Sequence, residues 1–389
     1  MRRIPSFVGA VFVGLFSFAL AAAQTPPPAV PGAPPMEPKQ EWPKEIAGKD
    51  LKGWIAELKD SPDAAQREAA VKAIPMFGPP ARDEALTPLL IALRRETDPG
   101  VKVNLLIVIG SIGPRTPEEG KKVVDPLKII VSTSSSGSPY RLHAARGLGN
   151  CAEFASEAIP ELAMALEDAS WETRRTVAQV LGVVGRPNEK RKSPHTQALN
   201  SVSKKIRTEK SAPVRLELVQ AMVSMGPPAV PANPADYAKV IEPYYKVITE
   251  QLKDEKDKSI QVWLTVLLML YDGSQFTETT IKKIADHVPG ADANARVAAL
   301  RALGLLDEKA KSFLPVMQDA LKNEDPVTVI EAVNALAALD MHARPAIPDL
   351  EKLKASTKDE TIKAMATAAI DIIQGKKPAA APVPPPPKK

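Results

Sequence analysis

A chain of 389 residues in which 44% of side chains are apolar but only 4% aromatic can build a large core, made of Ala and Leu rather than of rings. That composition suits helix packed on helix and argues against a sheet. Four His and one Cys exclude an internal disulfide framework and leave little for a metal centre or nucleophilic catalysis. The formal net charge of +5 is more than accounted for by Arg2, Arg3, Lys376, Lys377, Lys388 and Lys389, so the body of the chain is slightly acidic and no nucleic-acid binder by bulk charge.

Residues 1–23 read as a Sec-type signal peptide. Arg2 and Arg3 precede an apolar run from Phe7 to Leu20, and the small residues Ala21 and Ala23 precede a cleavage point at Gln24. Cleavage would leave the mature protein periplasmic or secreted, whereas an uncleaved run would anchor it in the membrane. Residues 24–49 are a Pro-rich linker (TPPPAVPGAPPMEPK) that buries no core, and residues 375–389 (GKKPAAAPVPPPPKK) form a tail of the same kind with lysines added.

Residues 50–374 carry a degenerate repeat, clearest in the stretch DANARVAALRALGLL that begins at Asp292. With Arg296 as anchor, the equivalent positions are Arg67, Lys102, Arg141, Arg174, Arg215, Gln261, Val329 and Lys363, spaced 33 to 46 residues apart. Three residues after the anchors stand Ala70, Leu105, Ala144, Val177, Leu218, Leu264, Ala299, Ala332 and Ala366. Seven after them stand Ile74, Ile109, Leu148, Leu181, Met222, Leu268, Leu303, Leu336 and Ile370. This is the spacing of one buried helix face. Four residues before the anchors, Asp63, Asp98, Gly137, Ser170, Ser211, Asp257, Asp292, Asp325 and Asp359 are all suited to capping a helix. Gly78, Gly113, Gly185 and Gly226, eleven after their anchors, are suited to ending one. A first helix is predicted ahead of each anchored one, near Leu51–Lys59, Glu84–Arg95, Val123–Val131, Ala158–Glu167, Gln197–Arg207, Ala238–Leu252, Thr279–His287, Ala310–Leu321 and Ile347–Lys354, several with Pro in or near the first turn. Nine such units describe an all-α solenoid.

The D-x-x-x-R start, the A-A-x-A-L-G middle and the Pro of the preceding helix resemble HEAT repeats of the short bacterial type, over roughly residues 50–374. The repeat consensus is also similar to that of bilin lyases, in consensus only, since no lyase-specific motif matches. The resemblance implies a right-handed superhelix of about nine helix pairs whose anchored helices line a concave, partner-binding surface. It also implies a structural ladder between neighbouring repeats, drawn here from Asp63, Arg67, Asp98, Lys102, Arg141, Arg174, Arg215, Asp292, Arg296, Asp359 and Lys363.

The three widest spacings hold the insertions STSSSGS (132–138), GRPNEKRKSPH (185–195) and GPPAVPANPAD (226–236), and loops carry function more often than packed helices do. Two of them adjoin candidate contacts. Arg186, Lys190, Arg191, Lys192, Lys204, Lys205 and Arg207, opposed only by Glu189 and Glu209, form a basic patch. Tyr237, Tyr244 and Tyr245, near Trp263 and Tyr271, form an aromatic set of the kind that favours interfaces. No HExxH, CxxC or GxSxG motif occurs, and the four His lie in different repeats. The function expected is therefore a non-catalytic, exported scaffold, monomeric, without metal or cofactor, binding a protein or peptide. An anionic polymer held by the basic patch is the second reading and an enzyme such as a lyase the third.

Overall fold

The structure, a computed structural model, describes residues 42–376. The signal peptide, the linker up to residue 41 and the tail from residue 377 lie outside the described residues. Among those described there are eighteen α-helices and no strand. Two compact units are present, one ending at Lys205 and the other beginning at Ile206. The first holds the pairs α1 (Leu51–Asp60) and α2 (Ala64–Ala73), α3 (Arg82–Arg95) and α4 (Pro99–Ile112), α5 (Pro117–Thr133) and α6 (Pro139–Asn150), and α7 (Ile159–Ala165) and α8 (Trp171–Val184). Helix α9 (Thr196–Ile206) runs to the boundary. The second unit holds α10 (Ala212–Met225), then α11 (Tyr237–Asp254) and α12 (Lys258–Tyr271), α13 (Glu278–Ala285) and α14 (Ala293–Leu305), α15 (Leu314–Ala320) and α16 (Pro326–Ala338), and α17 (Ile347–Ser356) and α18 (Glu360–Ile373).

In each unit the anchored helices stack on one another, α2 on α4 on α6 on α8 and α10 on α12 on α14 on α16 on α18, with each first helix packed on its own partner. The two apolar positions that define the repeat form the core. All eighteen residues named for them are buried except Leu268, which is half-exposed on α12. Burying a Leu or Ile contributes roughly 1.5–3 kcal/mol, so the repetition supplies most of the cohesion. Close approach is set by small residues. A Cβ on Gly110 of α4 would stand 2.7 Å from the Cα of Gly147 on α6, closer than real atoms come.

Helix starts follow the expected caps, with one shift. Asp63, Asp98, Ser170, Asp257, Asp292, Asp325 and Asp359 each accept a backbone N–H of the first turn, which satisfies donors that have no intrahelical partner. Ser211 stands at the cap position of α10 without a side-chain bond. Gly137 does not cap α6. It has no side chain to do so, and Ser138 accepts the Tyr140 N–H instead. Pro also moves one predicted boundary. The helix expected from Ala310 begins as α only at Leu314, after a 3-10 segment over Asp307–Phe313, because Pro315, with no N–H, stands in its first turn.

Positive φ at the eleventh position after the anchor is shared by Gly78, Gly113 and Gly226 and, in the later repeats, by Asp307 (φ 50°) and Asp340 (φ 48°). Residues 42–49, expected as linker, are tied to the first repeat. Ile46 and Lys49 exchange backbone hydrogen bonds of 2.9 and 3.1 Å, Trp54 Nε1 donates to the Ile46 carbonyl at 3.0 Å, and the Trp42 ring fills the space a Cβ on Gly78 would need.

Candidate functional site

The anchors build the most regular polar feature of the molecule. Arg67 sits in the first turn of α2, where the chain has just come out of α1, and its guanidinium turns back on that connection to take the carbonyls of Ser61 (3.1 Å) and Pro62 (3.0 Å). Its other edge is bidentate to Glu96 at 2.9 and 2.8 Å. Arg141 reaches Asp168 at 2.6 Å, and Arg215 is bidentate to Glu255 at 2.9 and 3.0 Å. The acid stands six residues before the next anchor in each case, and it is buried, with the carboxylates of Glu96, Asp168 and Glu255 at most 3% exposed. Each also takes backbone N–H groups of its own turn: Thr97 and Asp98 donate to Glu96, Ser170 to Asp168, and Lys256 and Asp257 to Glu255, while Asp168 accepts in addition from Gly137 of the preceding repeat. A planar fork and a carboxylate so held form strong paired bonds.

These contacts correct the predicted ladder. Rungs between repeats exist, but Asp63, Asp98, Asp292 and Asp359 are not the carboxylates in them, since their oxygens are taken by helix N–H groups. The acid six residues before the anchor was legible as a recurring Glu or Asp (Glu96, Asp168, Glu209, Glu255) but is missing from the prediction. Arg296 bonds the carbonyls of Val288 (3.2 Å) and Gly290 (2.8 Å), Arg174 those of Asp168 (2.8 Å) and Ala169 (3.0 Å), and Gln261 that of Glu255 (2.6 Å). Lys102 lies over the Tyr140 ring at 5.4 Å from its centre. Lys363 meets only Glu360 of its own helix at 3.4 Å, as a surface pair. A further link went unpredicted: buried Arg82, at the start of α3, bonds the Gly113 carbonyl at 2.9 and 3.2 Å and pairs with Glu119.

Electrostatics follow from these contacts. The Arg67 hydrogen bonds hold the Glu96 carboxyl below its usual range, and Arg82 does the same for Glu119. Burial pushes Glu255 the other way, but the bonds from Arg215, Asp257 and Gln251 outweigh it and leave the carboxyl lowered. Around the Arg215 rung opens a cleft of about 330 Å³ lined by Ile206, Arg207, Glu209, Arg215, Gln251, Asp254, Glu255 and Lys256. Three cations face three carboxylates there, and Arg207 already bonds Asp254 and Gln251 at 3.2 Å. Such a cleft has no net charge to offer a charged ligand.

The predicted basic patch is largely taken up within the fold. Arg191 donates to the carbonyls of Val184 (3.0 Å), Arg186 (2.7 Å) and Ser193 (3.2 Å), closing the 185–195 insertion on the end of α8. Arg186 is half-buried, with Nε 3.4 Å from the Val183 carbonyl, and burial holds both guanidiniums below their usual value. Lys205 is buried and pairs with Glu167 at 2.6 Å. Lys190, Lys192 and Lys204 are exposed. The aromatic set needs a similar correction. Tyr244 is buried, its ring 6.0 Å from that of Tyr271, whose hydroxyl donates to the Gly226 carbonyl at 3.2 Å, and Trp263 is buried as well. These rings fill the oversized unit, while Tyr237 and Tyr245 are half-buried. Cys151 is buried, and burial pushes its thiol up to about 12. No group of three or more His, Cys, Asp or Glu among the described residues is arranged to hold a metal ion.

The family model for HEAT repeats matches residues 281–371, the stretch from α13 into α18. The chain is a HEAT-repeat protein. Among solved structures, this HEAT-repeat chain is similar to an engineered protein at 19% identity and a TM-score of 0.42, over 82% of this chain and 88% of that one. It is also similar to the complex of CpcE and CpcF of phycocyanin lyase from Nostoc sp. PCC7120 at 17% identity and a TM-score of 0.42, over 82% of this chain and 99% of that one. At such identities and scores neither likeness bears on what this chain binds or does. No curated protein matches it. What the HEAT repeats leave outside the core is apolar as well as charged. Ile91 on α3, Ile129 on α5 and Met164 on α7 are exposed on three successive first helices of one unit.

Proposed function

We propose that this chain is an exported, non-catalytic scaffold that binds a protein or peptide on the surface of its repeats. The observation that carries the reading is the exposure of Ile91, Ile129 and Met164 on successive first helices, which a free-standing solenoid has no packing reason to keep. The charged and nucleophilic groups that would serve an enzyme are engaged elsewhere: the arginines and acids in rungs, Cys151 in the core. Engagement of Arg186, Arg191, Lys205 and Arg207 within the fold also favours a protein partner over an anionic polymer. A monomer carrying one or more docked partners is the expected assembly. Among the described residues no helix is long and apolar enough to cross a membrane.

The test places a photo-crosslinking residue, one position at a time, across the exposed helix faces of both units in the producing cell. Protein adducts restricted to defined positions are expected. Loss of every adduct, or adducts with glycan or lipid alone, would refute the scaffold.

A further inference from the structure

Pro88, Pro126 and Pro160 give α3, α5 and α7 a common landmark. Ile91 and Ile129 follow their prolines by three residues and Met164 follows its proline by four, and they are 43%, 56% and 65% exposed. In the second unit the third residue after Pro243, Pro315 and Pro348 is Lys246, Gln318 and Glu351. The position three residues after the proline is thus apolar in the first unit (Ile91, Ile129, Ala163) and polar in the second, so the repeat architecture does not itself demand an apolar residue there; Met164 stands one residue further on.

The row borders a groove. Arg94 of α3 and Pro117, Glu118, Lys121, Lys122 and Asp125 of α5 line a space of about 550 Å³. Ile91 stands one helical turn before Arg94, and Ile129 one turn after Asp125. Arg94, Arg95, Lys121 and Lys122 are exposed and make no ion pair among the described residues, whereas Asp125 has Lys128 at 3.8 Å.

We propose that this face docks an acidic amphipathic segment of a partner protein, its apolar side chains on Ile91, Ile129 and Met164 and its carboxylates toward Arg94, Lys121 and Lys122. The proposal rests on the scaffold reading and gives its partner a chemistry. Exposed cations beside apolar side chains supply steering and contact area together. An anionic membrane would meet the same cations, but Glu118 and Asp125 share the groove wall, and a groove suits a segment better than a flat sheet of headgroups.

The experiment uses the full chain and three probes: a labelled helical peptide with Leu and Glu on opposite faces, the same peptide with Lys for Glu, and phosphatidylglycerol vesicles. Anisotropy titration should show binding of the Glu peptide, weakened by salt. Ile91→Glu with Ile129→Glu, and separately Arg94→Glu with Lys122→Glu, should each weaken it at least about tenfold, a loss of about 1.4 kcal/mol or more. Lys190→Glu with Lys192→Glu should leave it unchanged. All substituted side chains are exposed, and circular dichroism confirms that each variant folds. Equal binding of the Lys peptide, unaltered binding by either groove variant, or binding of vesicles in place of the Glu peptide overturns the proposal. Crosslinking separates this failure from that of the scaffold: protein adducts at Asn334 but none at Ile129 reject this face alone, and none at any position rejects both.

Discussion

Arg67→Ala tests the rungs directly. The substitution removes two bonds to Glu96 and two to the carbonyls of Ser61 and Pro62, while Glu96 keeps the N–H groups of Thr97 and Asp98. Removing one partner of a buried ion pair typically costs about 3–5 kcal/mol. The guanidinium is 17% exposed, so water can partly replace it, and the lower end, about 3 kcal/mol, is expected. Lys363→Ala, which loses only an exposed pair on its own helix, should stay within about 0.5 kcal/mol. Urea titration by circular dichroism gives the overall shift, and hydrogen exchange of α2 and α4 places it, since a repeat array need not unfold in one step. The pH dependence has a definite sign. Glu96 is lowered in the fold, so its contribution is present above its unfolded pKa and is lost as pH falls through the folded value. The difference between wild type and Arg67→Ala should therefore narrow below about pH 4. A shift no larger than that of Lys363→Ala, or a gap that is constant into acid, would refute the rung.

Four further outcomes are expected. Gly110→Ala should destabilise by about 1–2 kcal/mol despite better helix propensity, because its Cβ meets the Gly147 backbone, whereas Gly273→Ala, with open space around it, should change the urea midpoint little. Asp340→Gly should raise the thermal midpoint, by about 1 kcal/mol in stability, since φ 48° is the left-handed region that glycine occupies without strain. Cys151 should resist iodoacetamide at pH 8 in the folded chain and react once urea exposes it, as followed by intact mass. Arg191→Ala should lower the urea midpoint by about 2 kcal/mol through its three carbonyl bonds, while Lys192→Ala should not move it.

What the sequence made legible was local. An Asp four residues before an anchor bonds N–H groups within three residues of itself, so Asp292 and Asp359 could be read as caps before any packing was known. The apolar face was legible for the same reason, being periodic along one helix. Partners across the fold were not. Arg67 and Glu96 are 29 residues apart and Arg215 and Glu255 are 40, and nothing in either local stretch fixes which acid a guanidinium will meet. Tyr244 and Tyr245 are a third of a turn apart on one helix, and the choice of which to bury was made by Tyr271 on the next. The basic run misled because charge density along the chain says nothing of carbonyls that a loop folds toward it, as Val184 and Ser193 fold toward Arg191.

The rungs also determine how neighbouring repeats can flex. Arg67 and Arg141 in one unit and Arg215 in the other all act at the starts of their helices, so each pins its repeat to the next at that edge, like the spine of a book. The first helices on the opposite side are joined by fewer such bonds, among them Gln318 to Asp349. Bending between such repeats should open the far edge first and leave the spine intact. Arg82, fastened to Gly113 and Glu119, ties the second repeat to the third at the other end of the helices, where the anchor Lys102 makes no ion pair among the described residues. Under load this junction should hinge about the Arg82 edge, opposite in sense to the rung-bearing junctions on either side of it.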